Sequence, residues 1–403
     1  MSRPSARDVE GFAAWLPWLL GFLFLLWQVC FQFVYAFLAD PIQAHFKLTS
    51  FEAASLVSVY LLAYGLMQIP AGIAVDRFGV RWLLPAVGLG GAVFVALFGI
   101  ATDYTQLVAS RLLAGVFMAF VFPAMGKIAR RRLPPRRFAL AMALADMCFG
   151  AGAVIASGLV AWVAPEAWRS LVLGQAAVGA ALALVLLVGL APLREGSASD
   201  WETASAWKSI RTALGQRQLL LGLCIYVWGA GLTFGFGGYW NVKLQESCGC
   251  TAPQVSELST ALFGGLAVGM LAAGLAGGQS SRLRPILITG SISSLVGVAA
   301  LLAFSSMVSL VVMSALNFFV GVALGTCSLA FAVAAQGVPA RQAATVVAIV
   351  NAGGCLAGAL FQELPVWLGG GTATLTSVAV VYVSVALFGV VATFFLPRKP
   401  SPD

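Results

Sequence analysis

The stretch QLVASRLLAGVFMAFVF (106–122) places one arginine, Arg111, inside a run of apolar residues. The whole chain has the same character, because 60% of its 403 residues are hydrophobic and only 9% are charged. Arginine stays protonated, so its burial in a bilayer costs from a few to roughly 10 kcal/mol. We therefore expect Arg111 to face a protein interior or a water-filled cavity, and to meet an anion there.

Apolar runs long enough to cross a bilayer, about 20 residues each, occur along the whole chain. The mean hydropathy is +0.95, and no polar segment is long enough to form a soluble domain. The chain is therefore predicted to be an all-α integral membrane protein, because lone segments span lipid as helices. The twelve predicted spans lie at roughly 14–39, 52–75, 82–102, 104–129, 138–164, 168–192, 217–243, 254–277, 284–305, 307–335, 342–367 and 372–396.

The basic residues of the loops predict the orientation of these spans. With the N-terminus inside, 19 Lys and Arg residues lie on the inner side and 3 on the outer side. The positive-inside rule then predicts a multi-pass protein of the inner (plasma) membrane with both termini cytoplasmic. The net charge of +8 reports this topology. Because the charges are spread over seven inner segments, we expect the lipid bilayer as partner and no nucleic acid.

A polar stretch at 193–216 divides the spans six and six, which predicts domains at 1–192 and 217–403 joined by a cytoplasmic linker. The two halves resemble each other at three places. GIAVDRFGVR (72–81) pairs with GLAGGQSSRL (274–283), RLLAG (111–115) with NFFVG (317–321), and LPPRRFALAMALAD (133–146) with VPARQAATVVAIVN (338–351). The offsets are 202, 206 and 205. Their constancy predicts an internal duplication, hence two pseudo-symmetric six-helix bundles.

The two halves differ in their buried charges. Arg111 pairs with Asn317, and Asp146 pairs with Asn351. This favours a cavity that handles charge in the first half and offers neutral groups in the second. We expect the forked guanidinium of Arg111 to bind an anionic substrate. Asp146 is the candidate proton carrier, because a carboxylate can load and unload a proton as its surroundings wet and dry. The alternative is an Arg111–Asp146 ion pair that only holds helices four and five together.

Three motifs resemble those of a known family. GIAVDRFGVRWLL (72–84) matches the G-x-x-x-D-R-x-G-x-R loop of the major facilitator superfamily, RLLAG (111–115) resembles its R-x-x-x-G motif in helix four, and EAWRS (166–170) resembles its Trp-Arg pair before helix six. The resemblance implies the major facilitator fold. It also implies alternating access around a midplane cavity lined mainly by helices one, four, seven and ten.

The same resemblance implies an inner gate at the loop after helix two. Asp76 falls on the aspartate of the motif, which in the family helps to close the inner side near the start of helix eleven. A carboxylate is favoured at a helix N-terminus, and Arg341 adds an attracting charge. The second copy has Gly278 at the aspartate position, so we expect the gate to depend on Asp76. The predicted gating residues are Gly72, Asp76, Arg77, Gly79, Arg81 and Arg341.

Polar residues inside the spans are the candidate substrate ligands. Gln28, Gln32 and Tyr35 are spaced four and three apart, so they share one face of helix one. The alternative is a structural role, in which such residues only form hydrogen bonds between packed helices. The predicted substrate-binding set is Arg111, Gln28, Gln32, Tyr35, Tyr226, Asn317 and Asn351.

The sequence gives little indication of a metal site, of enzymatic catalysis or of transport driven by ATP. Cys248 and Cys250 share an outer loop, but two thiols do not define a metal site. His45 is the single histidine, and no nucleophile–base spacing points to an enzyme. No G-x-x-x-x-G-K-[ST] loop indicates ATP drive. We therefore expect no cofactor.

Taken together, these features predict a secondary active transporter. We expect a monomer that couples protons to the symport of a small organic anion. One alternative is a proton-coupled exporter of drugs or metabolites, although helix five lacks the glycine-proline motif that family exporters often carry. Another is a non-transporting receptor or scaffold, against which the intact motif at Asp76 argues.

Overall fold

The computed structural model describes residues 12–193, 214–339, 342–370 and 373–397. Within these ranges it contains twelve helices that are long and apolar enough to cross a membrane. The predicted all-α membrane architecture with twelve spans is confirmed. The helices are α1 Phe12–Phe46, α2 Ser50–Phe78, α3 Leu83–Ile100, α4 Tyr104–Arg132, α5 Pro135–Ala161, α6 Trp168–Gly189, α7 Arg217–Ser247, α8 Ala252–Ala276, α9 Ser280–Phe304, α10 Leu310–Ala334, α11 Ala343–Leu368 and α12 Leu375–Phe394.

Polar residues next to the apolar runs determine where several helices begin. Thr49 and Thr374 precede α2 and α12, and their hydroxyl groups accept hydrogen bonds from backbone N–H groups of the first turn. Asp103 caps α4 in the same way, with a distance of 2.9 Å from its carboxylate to the Gln106 nitrogen. Such caps satisfy N–H groups that have no partner inside a helix. Helices α9 and α10 are separate, because α9 ends at Phe304 and Ser309 is extended before α10.

The start of α11 differs from these, because Gln342 precedes it and glutamine is not a preferred N-cap residue. The first N–H groups of α11 therefore need acceptors from elsewhere in the chain. That requirement leads to the candidate site described below.

Three helices are irregular near their middles. Helix α4 consists of Tyr104–Met118 and Val121–Arg132, and α10 contains a 3₁₀ segment at Thr326–Leu329. These two breaks lie at corresponding positions of the two halves. Helix α7 instead contains a π-helical segment at Gly231–Trp240, whereas α1 is a continuous α-helix over Phe12–Phe46. π-helical turns are rare and occur often at functional sites.

Glycines at equivalent positions bring pairs of helices together in both halves. A Cβ atom at Gly115 of α4 would lie 2.6 Å from the Tyr60 carbonyl oxygen of α2. A Cβ atom at Gly321 of α10 would clash with the Leu262 carbonyl oxygen of α8. The glycine of the R-x-x-x-G motif therefore fixes the contact between helices two and four, and the contact recurs in the second half.

Contacts divide the chain into two compact units. Unit 1 consists of Met1–Pro134, Met147–Ile210 and Pro339–Ala348, and unit 2 of Pro135–Asp146, Arg211–Val338 and Ile349–Asp403. Unit 1 thus includes the first turns of α11, and unit 2 includes the first turns of α5. The predicted domains at 1–192 and 217–403 stay a prediction, and most of the linker at 193–216 lies outside the described residues.

Candidate functional site

The Asp76 carboxylate caps the first turn of α11, within unit 1. Its Oδ1 accepts a hydrogen bond from the Ala344 N–H at 3.2 Å. Its Oδ2 accepts from the Thr345 N–H at 2.8 Å and from the Thr345 hydroxyl at 2.7 Å. The side chain is buried, with 7% of its surface exposed. A carboxylate from α2 therefore supplies the acceptors that the sequence before α11 lacks, and it meets the positive end of the helix dipole.

Gly72, one helical turn before Asp76, allows α2 and α11 to approach each other. A Cβ atom at Gly72 would lie 2.6 Å from the Ala348 Cβ and 2.8 Å from the Ala344 carbonyl oxygen. Any side chain at this position would push the two helices apart. It would thereby lengthen the hydrogen bonds of Asp76.

Lys127 binds the C-terminal end of α2. Its side chain is 1% exposed, and its amine donates hydrogen bonds to the Val75 carbonyl oxygen and, at 3.0 Å, to the Asp76 carbonyl oxygen. These are carbonyls in the last turn of α2, where a cation is favoured. Its charge also stabilises the nearby Asp76 carboxylate. We call Asp76, Lys127 and Thr345 the inner lock.

Sequence reasoning missed Lys127 as a site residue and counted it only among the inner basic charges. A usable signal was present in the segment VFPAMGKIARRR (121–132). Lys127 is flanked there by apolar residues and precedes a run of three arginines, which indicates a deeper position than that of a loop charge.

Gly79 ends α2 in a conformation that favours glycine. Its φ is 80°, a value that side chains with a Cβ rarely adopt. Its N–H donates to the Val75 carbonyl oxygen at 2.9 Å. The predicted tight turn after Asp76 is therefore present.

The arginines of the motif lie over aromatic rings of their own segment. The Arg77 guanidinium lies over the Phe78 ring at 5.2 Å, and that of Arg81 lies over the Trp82 ring at 4.8 Å. Arg341 lies outside the described residues. The geometry therefore brings Gly72 and Asp76 together with α11.

Arg111 lies in an aromatic cluster of unit 1. Its guanidinium carbon is 5.4, 4.9 and 4.7 Å from the ring centres of Phe31, Tyr35 and Tyr60. Its Nε donates to the Leu56 carbonyl oxygen at 3.0 Å. The side chain is 1% exposed. A cation–π contact contributes about 2 kcal/mol when water is excluded, so the rings offset part of the cost of burying this charge. We call Arg111, Phe31, Tyr35 and Tyr60 the arginine–aromatic cluster.

The guanidinium retains unused hydrogen-bonding capacity. In the part of the chain that the structure describes, no ion pair is recorded for Arg111, and its Nη1 has no hydrogen-bond partner. A guanidinium has five N–H donors arranged as a fork. The cluster therefore has a buried, fixed cation with donors available for an anion.

The predicted face of helix one contributes to this cluster. The Tyr35 hydroxyl donates to the Ala53 carbonyl oxygen at 2.7 Å, so this ring is fixed against α2. Gln28 is fully buried beside the Tyr60 hydroxyl, and neither group forms a hydrogen bond of standard geometry. Gln32 is half-buried, and its Oε1 has no partner. Tyr60 was absent from the predicted set, because the sequence does not reveal which helix packs against Arg111.

Asp146 occupies a separate cluster in unit 2. The Tyr226 hydroxyl donates to its Oδ1 at 2.8 Å, and the Tyr226 ring lies 4.6 Å from the Phe331 ring. Asp146 is 4% exposed. Arg111 and Asp146 thus belong to different units. The ion-pair alternative requires these two side chains to contact each other, whereas Asp146 bonds to Tyr226 and Arg111 bonds to the Leu56 carbonyl oxygen.

The two predicted neutral counterparts have different surroundings. The Asn317 side chain accepts from Asn241 Nδ2 at 2.7 Å and from Gln245 Nε2 at 3.4 Å, and it donates to the Met313 carbonyl oxygen at 2.8 Å. Asn317 therefore joins α10 to the end of α7. Asn351 is 1% exposed, and its Nδ2 has no partner. Of the two, only Asn351 has a recorded unpaired donor.

The described residues contain no group of three or more His, Cys, Asp or Glu side chains that could hold a metal ion. Cys248 and Cys250 are free thiols.

Comparison with known proteins identifies the family. The model of the Major Facilitator Superfamily matches residues 18–362. An uncharacterized transporter of Bacillus subtilis, YybO, is 34% identical over 132 residues, covering 32% of this chain and 30% of YybO. A probable L-galactonate transporter of Escherichia coli is 36% identical over 90 residues (22% and 19%). The multidrug efflux pump LfrA of Mycolicibacterium smegmatis is 34% identical over 125 residues (30% and 24%).

These alignments span less than a third of the length of each relative. A solved structure of the Escherichia coli fucose:proton symporter FucP has a similar fold along nearly the whole chain. The TM-score is 0.71 at 15% identity, over 96% of this chain and 100% of that one. From the family match, the twelve spans and the motif around Asp76, the chain belongs to the Major Facilitator Superfamily, whose members are membrane transporters and not enzymes.

Proposed function

We propose that this protein is a proton-coupled symporter of a small organic anion that works by alternating access. The observation that carries the proposal is the buried guanidinium of Arg111, for which the described residues provide no recorded counter-ion. The proposal includes a monomer with both termini cytoplasmic.

An uncompensated buried cation favours anion binding. Removing a charge from water costs several kcal/mol, and an opposite charge with good hydrogen bonds repays most of that cost. The rings around Arg111 restrict its orientation, so little side-chain entropy is lost on binding. A carboxylate that accepts hydrogen bonds from the free side of the fork would gain a charge-assisted interaction.

Neutral polar groups indicate what else the substrate carries. Gln28 and Gln32, in the same unit as Arg111, have buried amide atoms without partners. Hydroxyl groups of a substrate could bond to such amides, which would otherwise remain unsatisfied at a cost of about 1–3 kcal/mol each. The name of one relative includes L-galactonate, a hydroxylated carboxylate. This supports a hydroxy acid as the substrate class.

Asp146 is the proposed proton carrier. Its recorded hydrogen-bond partner is the neutral Tyr226 hydroxyl, and no cation is recorded beside it in the described part of the chain. A buried carboxylate without a cation is most easily accommodated as the neutral acid, and water entry makes ionisation cheaper. Alternating wetting would then couple proton release to conformational change.

The inner lock is the proposed inner gate. Three hydrogen bonds to the Asp76 carboxylate, each worth about 1.5–3 kcal/mol because the acceptor is charged, hold α11 against α2. Lys127 stabilises the end of α2 that carries this carboxylate. Opening must break these bonds, so the lock sets the free energy of one state of the cycle.

A second candidate is a proton-coupled exporter of drugs or metabolites, which the similarity to LfrA favours. Transport in right-side-out and inside-out vesicles separates the two functions by direction. A receptor or scaffold would move no solute in either orientation.

Asp76→Asn should lower the initial rate of transport at least tenfold while the protein still inserts into the membrane. The asparagine amide turns an NH₂ group toward N–H donors, so the closed gate loses about 2–3 kcal/mol of stabilisation. The equilibrium between the closed and the open gate then shifts toward the open gate by roughly 30- to 150-fold. Labelling of single cysteines on the inner side should become faster. The matched control is Asp103→Asn, which changes an exposed helix cap at the other end of the spans. Full activity of Asp76→Asn would refute the gating role.

Asp146→Asn should abolish accumulation driven by a pH gradient and preserve substrate counterflow. The asparagine oxygen can still accept the Tyr226 hydrogen bond, so the variant removes the titrating group and keeps the contact. Uptake with and without a pH gradient in proteoliposomes measures both activities. If accumulation survives unchanged, Asp146 is a structural residue.

Arg111→Gln should weaken transport of a carboxylate by at least tenfold more than that of its neutral amide analogue, because only the carboxylate loses a charge partner. Arg111→Lys keeps the charge but loses the fork, so an intermediate loss is expected. Competition with the labelled substrate gives both affinities. Equal losses for the two analogues would mean that Arg111 supports the fold alone. An unchanged affinity for a cationic drug would favour the exporter.

A further inference from the structure

A groove between α9 and α10 opens on the surface of unit 2. It has a volume of about 390 Å³ and is lined by Pro285, Ile286, Thr289, Gly290 and Ser293 of α9 and by Phe319, Val322, Ala323 and Thr326 of α10. Pro285 and Thr289 are exposed, and 45% of the Phe319 surface is exposed. Ligand sites of proteins have volumes of about 300–1,000 Å³, so the groove is large enough for a ligand.

The walls of the groove suit an apolar ligand. Most of the lining side chains are hydrocarbon, and the Thr326 hydroxyl donates to the Ala323 carbonyl oxygen of its own helix at 2.7 Å. Helices α9 and α10 also expose Ile292, Val296 and Phe318 on their outer surfaces. A groove in such a surface faces lipid when the helices cross a bilayer.

A cation lies in line with the groove. Arg282, Ile286, Thr289 and Ser293 follow at spacings of four, three and four, so they share one face of α9. Arg282 is exposed, and no side-chain hydrogen bond or ion pair is recorded for it in the described residues. Arg284, two residues later, instead donates to the Leu396 carbonyl oxygen at 2.9 Å. Of these two arginines, Arg282 is the one whose spacing places it on the helix face that lines the groove.

The depth of the groove matches one leaflet of a bilayer. Ser280 begins α9 at the predicted inner surface. At 1.5 Å per residue, Pro285 and Ser293 lie about 8 and 20 Å from this end. Half of the hydrocarbon core is about 15 Å thick, and Cβ bonds tilt toward the N-terminus of a helix. The groove therefore runs through the inner leaflet, and Arg282 extends toward the level of the lipid headgroups.

We propose that this groove binds one acyl chain of an anionic phospholipid of the inner leaflet, with the Arg282 guanidinium holding the phosphate. The apolar walls select the chain, and the unpaired cation selects the headgroup. The site is separate from the inner lock and from the arginine–aromatic cluster, so it does not rest on the proposed substrate.

Native mass spectrometry of the full-length protein in detergent tests the proposal, with dioleoyl phosphatidylglycerol and dioleoyl phosphatidylcholine as probes. The first phosphatidylglycerol should bind about fivefold more tightly than phosphatidylcholine, the factor expected from one basic residue beside an anionic lipid. Arg282→Gln should remove this preference. Arg132→Gln, which removes an equal charge from another exposed inner position, should preserve it. A preference that survives in Arg282→Gln would overturn the proposal.

Filling the groove tests the acyl-chain component. Ser293→Phe should eliminate the tight site for both lipids, whereas Ile292→Phe, at an exposed position that does not line the groove, should retain it. If Ser293→Phe is not monodisperse, Thr289→Phe fills the same groove from its exposed wall. Unchanged lipid binding in the filled variants would contradict the proposal. Displacement of the lipid by inorganic phosphate, or a change from dimer to monomer on filling, would also contradict it.

Discussion

A bilayer provides no water to a buried charge, and this constraint governs the whole protein. Among the described residues, four ionisable side chains of Asp, Glu, Lys and Arg are buried: Asp76, Arg111, Lys127 and Asp146. Asp76 and Lys127 stabilise each other and bond to the unsatisfied ends of α11 and α2. Arg111 is surrounded by rings, and Asp146 accepts a bond from a tyrosine. Two of these charges are therefore balanced by the protein, and the other two are those that we propose to meet a substrate and a proton.

This division suggests how a cycle could be driven. A ligand changes a conformational equilibrium only by the difference between its affinities for the two states. The inner lock, built from a few charge-assisted hydrogen bonds, has a strength similar to the binding free energy of a small anion of micromolar affinity, about 8 kcal/mol. Binding at Arg111 and proton transfer at Asp146 could therefore offset the cost of opening. A much stronger lock would hold the protein in one state.

The sequence predicts those features that depend on local patterns. Apolar length predicts the twelve spans, short polar breaks such as Ser305 and Ser306 predict helix ends, and the motif places Asp76 near α11. The partners of Arg111 could be predicted only in part. Tyr35 shares a helix face with Gln28, whereas Tyr60 comes from α2, and only tertiary packing brings it to the guanidinium. The apolar neighbours of Lys127 in the sequence indicate that it is buried, whereas its bonds to the end of α2 depend on tertiary packing. Asn317 looked like a neutral ligand from its alignment with Arg111, yet its amide bonds to Asn241, which the alignment does not reveal.

The central claim is that the buried guanidinium of Arg111 takes an anionic substrate. Calorimetric titration of the purified wild-type protein with a panel of small hydroxy acids, each beside its neutral amide, tests it most directly. The account predicts that at least one carboxylate binds about tenfold or more tightly than its amide, because one charge-assisted hydrogen bond contributes about 1.5–3 kcal/mol. Equal affinities of acids and amides, or tight binding of cations alone, would contradict it.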